Sequence, residues 1–163
     1  MFIAFRQISD TEFELLEPVH ATVLVDANLY TICVPAGFKT DLASVPRFLW
    51  GKYPPFGSYT RAAIIHDYLY STRYFGKDSR KLADKIFREV MKLDKVPEST
   101  ILQFYRSVRW WGWIVWGRHT KKSILEARQN IRLCDPIRAK ALNKDECMCK
   151  LKGECDKPKW DYF

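Results

Sequence analysis

Hydrophobic and polar positions divide the chain into two stretches of different character. The first forty residues look like β structure: "FELLEPVHATVLVDANLYTICVPAGF" is rich in Val, Leu, Thr and Tyr, with turn chemistry at Asp26–Asn28 and at Pro35–Gly37. A Pro- and Gly-punctuated segment, "DLASVPRFLWGKYPPFGS", follows from Asp41 to Ser58 and predicts an irregular loop. Helical spacing then takes over. A first helix is expected over about 59–75. A second, about 79–93, has Asp78 or Ser79 as N-cap. A third starts after Pro97 with "ILQFYRSVRWWGWIVWG", and a weaker fourth is "KKSILEARQNIRL". The expected fold is therefore α+β: an N-terminal β-ribbon or small antiparallel sheet, then an antiparallel helical core of three to four helices. Residues 1–134 form one domain in this reading, and 135–163 form a basic, Cys-bearing tail draped over the surface.

The first helix raises a chemical question. On a helical wheel Ile64, Ile65, Tyr68, Leu69 and Phe75 fall on one broad side, and Ala63, His66, Asp67, Tyr70 and Tyr74 on the other. The second side carries an imidazole, a carboxylate and two phenols where a solvated helix face would carry Lys and Glu. An imidazole can take a proton from water near neutral pH. A carboxylate such as Asp67 offers a hard oxygen suited to Ca²⁺ or Mg²⁺. Tyr70 can orient a neighbour, and Tyr74 is a candidate substrate contact.

A histidine base needs a partner on its other ring nitrogen. Asp84 is the candidate. On the second helix Leu82, Ala83, Ile86, Phe87 and Val90 make the apolar stripe, with Asp84 at its edge. The short connection "YFGKD" makes the two helices antiparallel neighbours and would bring Asp84 against His66 and Tyr70. A structural reading stands beside this one. His66 would be a satisfied core histidine, Asp67 would cap or would pair with Arg61 or Arg73, and Asp84 would pair with Arg80 or Arg88. Each residue alone fits that reading; the set of four points to a functional site.

Three loop residues have double readings. Asp41 is a further metal ligand or a maker of local turn hydrogen bonds. Ser44 is a substrate contact or a cap. Arg47 grips a phosphate or pairs with a carboxylate.

Composition narrows the setting. The chain has 163 residues, 47% of them hydrophobic, enough for one domain with a real core. Aromatic residues make up 15%, six of them Trp, and the formal net charge of +8 favours anionic partners. "RSVRWWGWIVWGRHTKK" places four of those Trp among basic residues, which suits the headgroup level of an anionic membrane. The competing reading, that the third helix is the core and its Trp fill volume there, is the one expected. Nucleic-acid binding is not expected, since the basic residues are scattered and carry no recognised motif. No signal peptide is expected because Arg6 and Asp10 break the apolar start, and no apolar run reaches membrane-spanning length. Four of the five cysteines lie in the last thirty residues. Their spacing departs from paired C-x-x-C units, so plain reduced thiols are expected rather than a structural Zn²⁺.

"VPAGFKTDLASVPRFLW", "AAIIHDYLY" and "SRKLADKIFREVM", in that order, resemble the phage and prophage family known as domain of unknown function 1353. That resemblance implies a phage or prophage origin, and a place in the virion or the host cytoplasm. Locally, "HDYLY" resembles the His-Asp-x-x-Tyr helix of phospholipase A₂, and "ADKIF" its partner helix. This second resemblance implies that His66 activates water, Asp67 holds Ca²⁺, and Asp84 and Tyr70 orient the histidine. Carbonyls of an upstream loop, "KTDLASVP" or "YPPFGS", would complete the ion's shell. The glycine-rich calcium loop and the stapling cysteines of that family are absent; Ile65 and Leu69 stand in apolar positions instead. The expectation is a phage-encoded, metal-dependent hydrolase of phospholipid esters working at an anionic phospholipid surface. The alternative is a non-enzymatic virion or assembly protein, or an inhibitor of a host factor, whose partner is a phage or host protein.

Overall fold

The computed structural model describes residues 3–42, 56–77 and 79–131. Within them the chain is α+β, with small antiparallel sheets followed by four helices. Strands β3 (Val19–Val25) and β4 (Asn28–Val34) form a hairpin in register from Val19↔Val34 to Val25↔Asn28. Val19, Ala21, Val23 and Val25 are buried while His20, Thr22 and Leu24 face out, the two-residue period of a pleat. Asp26 and Ala27 both take left-handed backbone (φ 49° and 63°), the primed turn whose twist matches the strands. Strands β1 (Phe5–Gln7), β2 (Phe13–Leu15) and β5 (Lys39–Thr40) make a separate sheet in the order β1-β2-β5. The expected Pro35–Gly37 turn leads into β5. Gly37 sits at φ 83° and donates its N–H to the Leu15 carbonyl at 2.7 Å.

Helix α1 (Thr60–Thr72) is the centre of the molecule. It touches α2 (Arg80–Leu93), α4 (Lys121–Ile131) and strands β3, β4 and β5. Most of its circumference is buried; Arg61, Asp67 and Ser71 are the partly exposed positions. Arg61 makes a forked ion pair with Asp94 at the C-cap of α2, so the start of α1 meets the end of α2 and the helices run antiparallel. Helix α1 stops at Thr72, three residues short of the expected end. Arg73 turns left-handed (φ 52°) and its N–H caps the Leu69 carbonyl. Such backbone costs a non-glycine residue about 1–2 kcal/mol. The guanidinium lies 3.5 Å over the Trp116 ring and donates to the Trp116 carbonyl.

On α2, Ala83, Ile86, Phe87 and Val90 are buried as expected, and Leu82 is half-buried. Ser79 is the N-cap residue, but its hydroxyl donates to Gly76 rather than capping the helix; Asp78 lies outside the described residues.

Helix α3 (Glu98–Arg118) corrects a further expectation. Its buried stripe is Thr100, Ile101, Phe104, Val108 and Gly112. Trp110, Trp111 and Trp113 are 75%, 60% and 64% exposed, so they do not fill the core; only Trp116 is half-buried against it. Cys33 on β4 is disulfide-bonded. The other four cysteines and the tail lie outside the described residues. Among the described residues no helix is long and apolar enough to cross a membrane.

Candidate functional site

Asp84 is fully buried, and four side chains converge on it. The Tyr70 hydroxyl donates to Oδ1 at 2.5 Å, and Arg109 donates to Oδ2 at 2.7 Å. Arg80 reaches Oδ2 at 3.4 Å. His66 Nε2 lies 3.0 Å from Oδ1. Burial alone would push the Asp84 carboxyl up. Hydrogen bonds and charge from His66, with hydrogen bonds from Tyr70 and Arg109, outweigh it and hold the group below the usual carboxylate range. An ionised Asp84 only accepts, so His66 Nε2 is the donor and the lone pair of a neutral ring is on Nδ1. Burial, then the Asp84 charge, pushes the Tyr70 phenol up, which keeps its proton in place. The hydrogen bond to Asp84 raises Arg109 further, so its positive charge is permanent.

Packing around the pair leaves little slack. The His66 ring stacks at a tilt on Tyr70 and Phe87, with centroids 4.1 and 4.8 Å away. Tyr70 meets Trp116 edge-on. Gly112 is placed where a Cβ would stand 2.6 Å from the Tyr70 hydroxyl oxygen and 3.3 Å from Arg80. A glycine here lets α3 close over the phenol.

His66 and Tyr70 also line a cleft of about 340 Å³, with Asp67, Asp41, Trp111 and His119 on its walls. Asp67 Oδ2 accepts the Thr40 hydroxyl at 2.6 Å, and the Thr40 oxygen accepts the Leu42 N–H at 3.0 Å, so the end of β5 aims the carboxylate. Burial, then repulsion from Arg73, lowers the His119 imidazole; the charge of Asp41 works the other way.

The structure thus brings His66, Tyr70 and Asp84 into contact and sets Asp67 and Asp41 on the same cleft. Asp67 pairs with neither Arg61, which serves Asp94, nor Arg73, which serves Trp116. Arg88 pairs with Glu89 and leaves Asp84 alone. Tyr74 is not brought in. It is buried against Tyr68 and Phe75, away from the cleft walls, because the helix whose period placed it on the functional side ends two residues earlier. Ser44 and Arg47 lie outside the described residues. Arg109, Gly112, Thr40 and His119 were not anticipated. Arg109 and Gly112 sit three residues apart on α3, a same-face spacing readable only once α3 is known to cover Tyr70.

Two carboxylates on one cleft, one of them oriented by a hydroxyl, are chemically suited to a hard divalent cation. Among the described residues, however, no group of three or more His, Cys, Asp or Glu side chains is arranged to hold a metal.

Fold and site together define an α+β protein with a buried histidine–carboxylate pair opening onto a cleft. A family model described as "Protein of unknown function (DUF1353)" matches residues 13–114, and the chain belongs to that family. The matched span contains His66, Asp67, Tyr70, Asp84, Arg109 and Gly112 and stops short of His119. No curated protein and no solved structure matches the chain.

Proposed function

We propose that this protein is a hydrolase of phospholipid esters in which His66 activates water, and that it is of phage or prophage origin. The observation that carries the reading is the buried Asp84 fixing His66 Nε2 at 3.0 Å while the same ring lines the cleft. With Nε2 committed to Asp84, Nδ1 takes a proton from water as the hydroxide oxygen bonds to the ester carbonyl carbon. Asp84 stabilises the imidazolium that results. The tetrahedral adduct collapses by breaking the bond to the alcohol oxygen. That oxygen receives the proton from Nδ1, leaving a carboxylic acid and an alcohol. Tyr70 and Arg109 are positioning residues that act through Asp84. Asp67 and Asp41 are the side chains that would hold Ca²⁺. When bound, the ion supplies positive charge against the developing oxyanion.

A second reading has its own support. Arg109 and Arg80 both occupy Asp84 Oδ2, so the network is also a well-satisfied structural one, as a virion or assembly protein or an inhibitor of a host factor would have.

Fatty-acid release from mixed anionic liposomes separates the two. His66→Ala should lower the rate by about 10²–10⁴. Asp67→Asn should weaken divalent binding and recover partly in excess Ca²⁺. Asp84→Asn should keep metal affinity while slowing release. An unaltered protein that binds no divalent ion in a thermal-shift titration and releases nothing, with all three variants folded, would leave only the structural reading.

A further inference from the structure

The exposed tryptophans need an explanation that the catalytic reading does not supply. Trp110 and Trp113 lie opposite the buried stripe Ile101, Phe104, Val108 and Gly112, and Trp111 flanks that stripe on the cleft side, so the second half of α3 turns aromatic rings outward. Arg106 shares the stripe of Trp110 one turn earlier and is exposed; Arg118 is exposed at the far end of the helix. From Ser99 to Leu125 the sequence has no Asp or Glu, so every charge that the second half of α3 adds to this side is positive. Trp111 and Val115 are at once exposed and walls of the cleft, which makes the outward side continuous with the cleft mouth.

We infer that this side of α3 is a docking surface for an anionic phospholipid bilayer. Indole rings prefer the headgroup level, where the ring is apolar and the N–H is wet, and the flanking cations meet anionic lipid phosphates. A second copy of the chain fits less well, because self-association would face cations with cations. As a route to the cleft the inference rests on the lipid-ester reading above; as a binding surface it stands alone.

The test uses the full chain with phosphatidylglycerol–phosphatidylcholine vesicles and with phosphatidylcholine vesicles. The expected result is co-sedimentation with the anionic vesicles, a blue shift of tryptophan emission, and quenching by lipids spin-labelled near the headgroup. Trp110→Ser/Trp111→Ser/Trp113→Ser should lower partitioning at least tenfold. If that variant fails to fold, Trp110→Ser and Trp113→Ser singly, with quenching of the unaltered protein, decide the matter. Absence of vesicle binding, equal binding after the replacements, preference for a single-stranded oligonucleotide, or a concentration-dependent dimer without vesicle binding would each overturn it. Docking without fatty-acid release removes the chemistry and keeps the surface. Release from a monomeric soluble ester without docking does the reverse.

Discussion

Helix α1 and the second half of α3 are both dense in aromatic residues, yet one is the buried centre of the molecule and the other is its surface. Helix α1 buries His66, Tyr68, Tyr70 and Thr72 because neighbours surround it and its polar atoms find partners: Tyr70 and His66 on Asp84, Thr72 on the Tyr68 carbonyl at 2.6 Å. In α3 the indoles at 110 and 113 lie away from the side occupied by Phe104, Val108 and Gly112, and the indole at 111 edges it on the open cleft. Burial followed the available partners and the angular position, and aromatic content did not decide it.

The sharpest way to break that contrast is Asp84→Ala. It strands two guanidiniums, a phenol and an imidazole around a buried hole and should cost about 3–5 kcal/mol in denaturant unfolding. A loss under 1 kcal/mol would mean the network is not what holds α1 in the centre. Gly112→Ala should cost about 1–3 kcal/mol, since the new methyl group meets the Tyr70 hydroxyl and α3 must shift. A crystal structure of that variant with α3 unmoved and the Tyr70–Asp84 bond unchanged would refute the account of the glycine.

Acid titration comes next. Asp84 has a lowered folded pKa, so its stabilisation is complete above the unfolded value of about 3.9 and is lost as pH falls below it. His119 is also lowered in the folded state. Its protonation favours the unfolded chain, and stability is lost as pH falls through about 6.5 and below. His119→Gln should therefore flatten the upper leg of the stability–pH curve and leave the lower one. An unchanged upper leg would show that His119 is not buried against Arg73. The smallest effect belongs to the surface: Trp110→Ser with Trp113→Ser should change stability by about 0.5 kcal/mol or less, and a larger loss would return those rings to the core.

Some of this was legible in the sequence. Helical spacing puts His66 and Tyr70 on one side, and a short connection folds Asp84 back onto them; both are local rules, and the contact is observed. The β3–β4 hairpin followed from β-rich composition around a turn. The rest was illegible because it is non-local. Arg109 meets Asp84 from another helix, Thr40 meets Asp67 across 27 positions, and the separation of the strands into two sheets depends on β5 pairing with β2. Tyr74 was misplaced by carrying a helical period through a left-handed Arg73, a conformation that no residue-type rule anticipates there.

The spread of Asp84's donors along the chain also ties the docking of α3 to the completion of the site. Arg80 is 4 positions away, Tyr70 14, His66 18 and Arg109 25. A chain that has paired α1 with α2 but not yet docked α3 holds a desolvating carboxylate with one oxygen served by Arg80 alone. Arrival of Arg109 completes the set, and Gly112 then closes over Tyr70. Docking of α3 and completion of the site are therefore expected to be one cooperative event, and so is their undoing. In native-state hydrogen exchange the amides around Phe104–Val108 and those around His66–Tyr70 should open together, as a single unit, well after the exposed turn of Trp113 has exchanged.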